Sequence, residues 1–383
     1  MKLRLSDIYE LQMGKTPARS TPAFWNGTNA WVSISDLTSS HKYISQTREH
    51  ITDESIAQTG IKKVPKDTLL MSFKLSLGKV AIAGADIYTN EAIMAFLDKK
   101  IYDVDIHFMY HYFQAIDWTI GTNKAVKGVT LNKKVLSEKV IELPSIAVQH
   151  EIAERMDTLN TVMENLQRQL CLLDELVKSQ FVEMFGEYVE DTSHHHKLKH
   201  VCDFIDYRGK TPEKSESGIP LITAKNVKDN HFSPTPQEFI PIANYESVMT
   251  RGIPKVNDIL FTTEAPLGNV CRIPSLYDKF CVGQRIVTIQ PHTNNLMPEY
   301  LEHTLLSDTF QKKVWQQATG STVKGIRSKL LIELTIPVPP LTLQNEFAAF
   351  AQQADKSKLV LRQLLEKQQT LKAALMQEYF AVH

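Results

Sequence analysis

Residues 143–153 read LPSIAVQHEIA, and residues 338–348 read VPPLTLQNEFA. Pro144, Gln149 and Glu151 thus recur as Pro339, Gln344 and Glu346, 195 positions on. Each stretch opens a long segment free of proline. From Met156 the apolar positions run Leu159, Met163, Leu166, Leu170, Leu173 and Val177, then Met184, with polar Gln180 at one seam position beside Phe181. Steps of three and four sustained this far define a coiled-coil seam. No glycine interrupts it before Gly186, which suits a C-terminal cap after Phe185. Residues 148–185 as one helix would be roughly 57 Å long, at about 1.5 Å per residue.

The copy, residues 343–380, has a weaker seam: Phe347, Phe350, Ala354, Leu361, Leu364, Leu371 and Leu375, with Gln368 in its middle. One amphipathic helix of this length cannot bury its own stripe and needs a partner. The nearest candidate is its own repeat. Antiparallel pairing is the arrangement that holds two globular units at opposite ends of a rod and facing the same way.

The repeat extends beyond the helices, and repeats are sought before anything else because they decide the architecture. Gly14-Lys15-Thr16-Pro17 recurs as Gly209-Lys210-Thr211-Pro212, and Leu166 and Phe185 recur as Leu361 and Phe380, all 195 apart. Leu77-Gly78-Lys79-Val80 matches Leu267-Gly268-Asn269-Val270 at an offset of 190, and Val126-Lys127-Gly128-Val129 matches Val323-Lys324-Gly325-Ile326 at 197. The chain therefore reads as two copies of one unit: a domain over 1–143, its helix over 144–187, a linker and second domain over 188–338, and a second helix over 339–383. Ala30–Ile34, Thr68–Phe73, Val80–Ala83, Asp258–Thr263 and Arg285–Gln290 read as strands, and Phe108–Ala115 and Pro298–Leu306 as helices. The expected class is α/β (α+β). The segment Glu187–Lys197, with His194-His195-His196, reads as a polar linker.

Composition removes several classes of protein. Among 383 residues, 43% are hydrophobic and 22% charged, which excludes a wholly disordered chain. No run of 18 apolar residues occurs and the start carries no hydrophobic signal core, so a membrane partner is not expected and a cytoplasmic location is. Cys171, Cys202, Cys271 and Cys281 lack Cys-x-x-Cys spacing, which points to reduced thiols and no structural metal site. Net charge is zero, but residues 144–187 hold 3 basic and 8 acidic side chains, a net −5. That acidic helix suits a protein partner better than phosphates.

Catalytic motifs are not expected here. Gly-Lys-Thr invites a P-loop reading, but the required earlier glycine is Tyr9 or Phe204, and proline follows the threonine. Neither an Asn/Asp-Pro-Pro-aromatic loop nor a Gly-rich cofactor loop of a methyltransferase is found. Glu91 with Asp98-x-Lys100 resembles a nuclease fragment but reads as strand-end surface charge. No catalytic, cofactor-binding or metal residue is assigned.

The duplicated anchors point instead to nucleic acid. Lys15, Thr16 and Arg19 stand against Lys210, Thr211 and Lys214. Lys124 and Lys127, in a Gly-Thr-Asn-Lys loop, stand against Lys324 and Arg327 beside Gly320-Ser321-Thr322. Lys74 and Lys79 stand against Asn269. Glycine with Ser/Thr lets backbone approach phosphate, and Lys/Arg displaces counterions. Asn90, Asn226, Gln284 and Arg285 have the chemistry to read base edges.

This pattern resembles the specificity subunit of type I restriction–modification systems over essentially the whole chain. The turn with Gly-x-x-Pro and Pro-x-x-x-x-Gln-x-Glu opening a long helix, each found twice, carry the resemblance together with the Thr/Ser-x-x-Lys-Gly loop, which is complete at Ser321–Gly325 and has Lys124 in the Thr/Ser position of the first copy. It implies two target recognition domains, each reading half of a bipartite double-stranded DNA sequence, and an antiparallel coiled coil of pseudo-twofold symmetry. The coiled coil would space the half-sites and dock two methyltransferase subunits. Those partners would use S-adenosylmethionine and, with two motor/endonuclease subunits where present, ATP and Mg²⁺. The specificity subunit itself would bind no cofactor. The alternatives are a specificity chain of another DNA-methylation or phage-defence system, and a duplicated coiled-coil scaffold without DNA binding.

Overall fold

The computed structural model describes residues 1–39, 42–74, 76–118, 124–125, 128–129, 131–207 and 212–380, with backbone alone for 124, 125, 128 and 129. The chain divides into two compact units, Met1–Gln167 with Leu364–His383, and Arg168–Gln363. Each unit therefore holds one globular part and one half of each long helix.

In the first unit a five-stranded sheet has the order Tyr9–Met13, Ile93–Asp98, Leu69–Ser72, Val80–Ala83, Tyr43–Ile44. Its first four strands pair antiparallel with one another, and Tyr43–Ile44 joins Val80–Ala83 in parallel. The central strands are buried on both faces, which is why Leu69–Ser72 and Val80–Ala83 read as continuous apolar runs rather than alternating ones. A second sheet places Trp25–Val32 between Glu49–Ile51 and Tyr88–Thr89, the latter pairing parallel. The helix Ile106–Ala115 packs on the large sheet, with Phe108, Met109, Tyr112 and Phe113 in its core.

The second unit repeats this topology. Cys202–Asp206, Ile286–Pro291, Ile259–Thr263 and Leu267–Arg272 form a four-stranded antiparallel sheet in the corresponding order. Even the register is kept: Met71 pairs with Val80, and Phe261 with Val270. The smaller sheet again has a central strand, Ile219–Ile222, with one antiparallel and one parallel neighbour. Pro298–Leu306 is the counterpart helix, and a further helix, Asp308–Gln316, follows it.

The long helices span Ile146–Glu190 and Leu341–Phe380. Within each unit the start of one lies against the end of the other, so the pairing is antiparallel. In the first unit Ile152, Ala153 and Met156 share a core with Leu375, Met376, Tyr379 and Phe380. In the second, Val177, Phe181 and Phe185 share one with Phe347, Ala351 and Ala354. Phe185 meets Tyr300 and Phe347 edge-on, while Phe380 packs on Phe108 and Tyr112. The two phenylalanines repeated 195 apart thus do the same job in different units.

Three sequence expectations need correction. Gly186 does not cap the first helix, which continues to Glu190 because Met184 and Tyr188 pack on the second unit's core. The histidine segment is not a plain linker. His195–Lys197 is a strand paired with Thr335–Pro337, as Lys2–Arg4 pairs with Val140–Glu142. In the second helix Leu364 and Leu371 are exposed, and the half-buried positions include Leu361, Leu365, Gln368, Lys372 and Leu375. The stripe is displaced by one residue because Lys372 lays its stem inward and donates to Asn160 Oδ1 at 2.8 Å. On the first helix Met156, Leu159, Leu166 and Val177 are buried, and Met163, Leu170 and Leu173 half-buried.

Candidate nucleic-acid interface

Strand register brings the duplicated loops together. In the first unit Met13, Ser72, Val80 and Ile93 all lie at one end of the large sheet, since Met13 and Met71 both pair with Met94, Ser72 pairs with Ile93, and Met71 pairs with Val80. The loops Gly14–Arg19, Phe73–Lys79 and Asn90–Ala92 therefore leave from the same end. The Leu131 N–H donates to Phe73 O at 3.1 Å, which places Leu131 at this end too.

The Gly-Lys-Thr-Pro turn is packed, not open. Lys15 N–H donates to Thr89 O at 2.8 Å, and Trp31 Nε1 donates to Lys15 O at 3.1 Å. A Cβ on Gly14 would collide with the carbonyl oxygens of Thr89 and Asn90, so glycine is required by close approach. Lys15 Nζ reaches Thr59 O at 2.6 Å, and the Thr16 hydroxyl donates to Glu91. Arg19 lies over the Trp25 ring at 3.9 Å and forms a two-armed ion pair with Glu49. Hydrogen bonding from Arg19 holds the Glu49 carboxyl below its usual range.

The second unit shows the same end. Asp206 pairs with Val287, Thr262 with Ile286, and Thr263 with Leu267, so residues 264–266 and 283–285 leave together. Glu264 bridges Gly325, and Ile326 N–H donates to Thr263 O at 3.0 Å, which brings Lys324 and Arg327 to this end. Arg285 lies 3.5 Å from Glu264. Lys214 pairs with Glu238 at 2.7 Å, and Lys225 shares that carboxylate at 3.1 Å. The Glu238 carboxyl is pulled down chiefly by Lys214. Arg19 with Glu49 and Lys214 with Glu238 are thus one device in two copies.

The sequence candidates separate into groups. Lys79, Lys324 and Arg327 are exposed, and among the described residues no ion pair engages them. Lys15, Arg19, Lys214 and Arg285 already have partners. Lys74 is half-buried against Phe73, 5.1 Å from its ring. Gln284 is half-buried at the sheet end. Asn90 lies at the sheet end, where its Oδ1 accepts from Ala92 N–H at 3.1 Å. Lys127, Lys210 and Thr211 lie outside the described residues, as does the Lys124 side chain.

Two asparagine candidates make hydrogen bonds within the fold. Asn226 is buried: its Oδ1 accepts from Thr223 N and Oγ1, and its Nδ2 donates to Ser233 O and Pro236 O, both at 3.0 Å. Both polar atoms of its side chain are engaged inside the fold. Asp36 does similar work in the first unit, accepting from Ser33 N at 2.8 Å. Asn269 donates to Val227 O at 3.0 Å and ties two strands together.

Glu91 and Asp98 sit at opposite ends of Ile93–Asp98, a strand of about 20 Å. They cannot share an ion. Among the described residues no group of three or more His, Cys, Asp or Glu is placed to hold a metal, and no helix is long and apolar enough to cross a membrane. Cys202, Cys271 and Cys281 are buried, and burial pushes the Cys281 thiol up to about 11.

Sequence reasoning missed the polar joints between each globular part and the helices. Arg272 joins Glu302 Oε2 at 2.6 Å, Glu299 at 3.0 Å, and Asp355 of the second long helix. Burial raises Glu302, and Arg272 opposes it. Lys358, buried, reaches Asp174 at 2.6 Å. In the first unit Asp157 takes Lys42 at 2.6 Å and lies 2.8 Å from His111 Nε2. Burial opposes ionisation of Asp157, but His111 and Lys42 outweigh it and hold the carboxyl at about 2.

Two copies of one mixed unit, each with a loop-bearing sheet end and a share in a helix pair, define a duplicated recognition scaffold. Comparison with known proteins gives its family. The model of the type I restriction modification DNA specificity domain matches residues 1–171 and again 191–372. The MjaVIII specificity subunit of Methanocaldococcus jannaschii is 22% identical over 97% of this chain and 89% of its own length. The MjaIX specificity subunit of the same organism is 25% identical over 48% of this chain, and the match spans 43% of that protein. A crystal structure of the type I restriction–modification S subunit from M. genitalium shares the fold, with TM-score 0.58 at 15% identity over 98% of this chain and 94% of that one. The chain belongs to the family of type I restriction–modification specificity subunits.

Proposed function

We propose that this chain is the non-catalytic DNA-reading subunit of its complex. Each unit reads one half of a bipartite double-stranded target through the loops at its sheet end, and the helix pair docks two methyltransferase subunits. The observation that carries this reading is the duplicated sheet end. Register gathers corresponding loops at one sheet end in both units, those after Ser72 and before Ile93 in the first and residues 264–266 and 283–285 in the second, with the exposed cations Lys79, Lys324 and Arg327 beside them. The side chains differ between the copies: Lys79 stands where the other unit has Asn269, and Arg19 where it has Lys214. Different side chains on one frame imply different half-sites, hence an asymmetric target.

Partner subunits supply the chemistry in this reading. The methyltransferases use S-adenosylmethionine, and motor/endonuclease subunits, where present, use ATP and Mg²⁺; this chain holds none of them. It works in the cytoplasm. The acidic first helix faces a protein partner, through residues such as Glu164 and Glu175.

The test is methylation sequencing of genomic DNA from cells expressing this chain with a cognate methyltransferase subunit, against cells lacking it. A new two-part adenine-methylated motif is expected. A stable complex that methylates no new motif would refute the reading and leave a scaffold or another defence role.

A further inference from the structure

The glutamine that marks both repeats has no role in the function as proposed, yet its three hydrogen bonds are duplicated contact for contact. Gln149 and Gln344 are fully buried. Gln149 Nε2 donates to Pro144 O at 3.0 Å and Asp103 O at 3.1 Å, while its Oε1 accepts from Asp105 N–H at 2.9 Å. Gln344 Nε2 donates to Pro339 O at 2.8 Å and Asn295 O at 3.0 Å, and its Oε1 accepts from Met297 N–H at 2.8 Å. Asp105 and Met297 are the N-cap residues of Ile106–Ala115 and Pro298–Leu306. Each glutamine thus ties the first turn of a long helix to the start of the helix that packs on its unit's sheet.

A second polar contact lies farther along the same long helix. In the first unit it is Asp157 with His111 and Lys42; in the second it is Asp355 with Arg272, assisted by Gln352 Nε2 donating to Glu299 at 3.0 Å. Eight residues separate Gln149 from Asp157, and eleven separate Gln344 from Asp355, or about 12 and 16 Å of helix. Two directional contacts that far apart fix an angle. Apolar packing alone is non-directional and lets a helix slide or tilt. Angle matters because the helices are long: a tilt of about 6° moves a point roughly 34 Å away by about 3.4 Å, one base-pair step.

We propose that Gln149 and Gln344 are positioning residues that set how strictly the spacer between the two half-sites is measured. This rests on the DNA-reading function proposed above. Neither residue touches DNA; each acts by holding its globular part at one angle to the helix pair.

The experiment uses the full chain with its methyltransferase subunits, and reads the methylated motif of the wild type, Gln149→Met, Gln344→Met and the double variant. Methionine keeps the volume and removes all three hydrogen bonds. If the wild type yields no two-part motif, the DNA-reading function itself fails. Given that motif, the variants are expected to keep both half-sites and to methylate sites with one base pair more or fewer in the spacer. The ratio of mis-spaced to correctly spaced sites should rise on the order of tenfold, the scale that loss of one or two net hydrogen bonds allows. Should the methionine variants fail to fold, Asp157→Asn and Asp355→Asn weaken the second contact of each joint and carry the same expectation. A spacer as strict as the wild type's in folded variants overturns the proposal. So does loss of a half-site without any change in spacing.

Discussion

Removing Lys324 and Arg327 together should change the salt dependence of DNA binding by a calculable amount. Both are exposed on the loop that Ile326 fastens to the sheet end, and among the described residues neither sits in an ion pair. Each phosphate contact contributes about 0.9 to the slope of log K against log salt. Lys324→Ala/Arg327→Ala should therefore lower the slope by about 1.8. Over a fourfold rise in salt, from about 50 to 200 mM, the wild type should lose roughly twelvefold more affinity than the variant. The control is Arg19→Ala/Glu49→Ala, which deletes a cation with the carboxylate that already neutralises it and should leave the slope unchanged. Fluorescence anisotropy of the methyltransferase complex on a duplex carrying the target, titrated at four salt concentrations, measures both. A slope for Lys324→Ala/Arg327→Ala within about 0.3 of the wild type would refute the placement of these side chains on phosphate.

Three further outcomes follow from the buried polar groups. Arg272→Met should destabilise the second unit by about 3–5 kcal/mol, because Glu302 and Glu299 lose their counter-charge; hydrogen exchange across residues 259–306 would show it as faster opening, and unchanged protection would count against it. Asn226→Ala should lower stability by about 2–3 kcal/mol, with Thr223 N, Ser233 O and Pro236 O left unsatisfied, while the salt slope of DNA binding stays put. For Asp157 the folded carboxyl, at about 2, lies below its ordinary 3.8, so its stabilisation is in place above about pH 4 and is lost as pH falls toward 2. After discounting for a side chain 37% exposed, Asp157→Asn should cost about 1–1.5 kcal/mol at pH 6, with wild type and variant converging in urea titrations only as the pH falls to about 2 and below.

The helices and the repeat were legible because their signals are local: a proline, a glutamine and a glutamate at fixed spacing, then apolar steps of three and four. What escaped was whatever depends on a distant partner. His195–Lys197 is polar, and its strand is made by backbone pairing with Thr335–Pro337, which side-chain chemistry does not announce. Asn226 has the right groups to read a base, but Thr223-x-x-Asn226 is a turn spacing, and the turn consumes them. Arg272 is one cation in an apolar strand, and its three carboxylates lie 27, 30 and 83 residues onward. Leu364 and Leu371 looked like seam residues because leucine is apolar, whereas Lys372 covers that stripe with its methylene stem. At the candidate interface, the loops could be listed from sequence, but only strand register shows that they share one end of a sheet.

The exchange of terminal aromatics has a consequence for how the chain is made. Phe380 completes the core built by Phe108 and Tyr112, residues synthesised some 270 positions earlier. The second unit is continuous in sequence and can close as soon as residue 363 has left the ribosome. The first must wait, with part of its apolar core uncovered, until the last helix arrives. On the ribosome, then, the half translated first is the half that finishes last, and a nascent chain halted before Phe380 would present a closed second unit beside an unfinished, aggregation-prone first one.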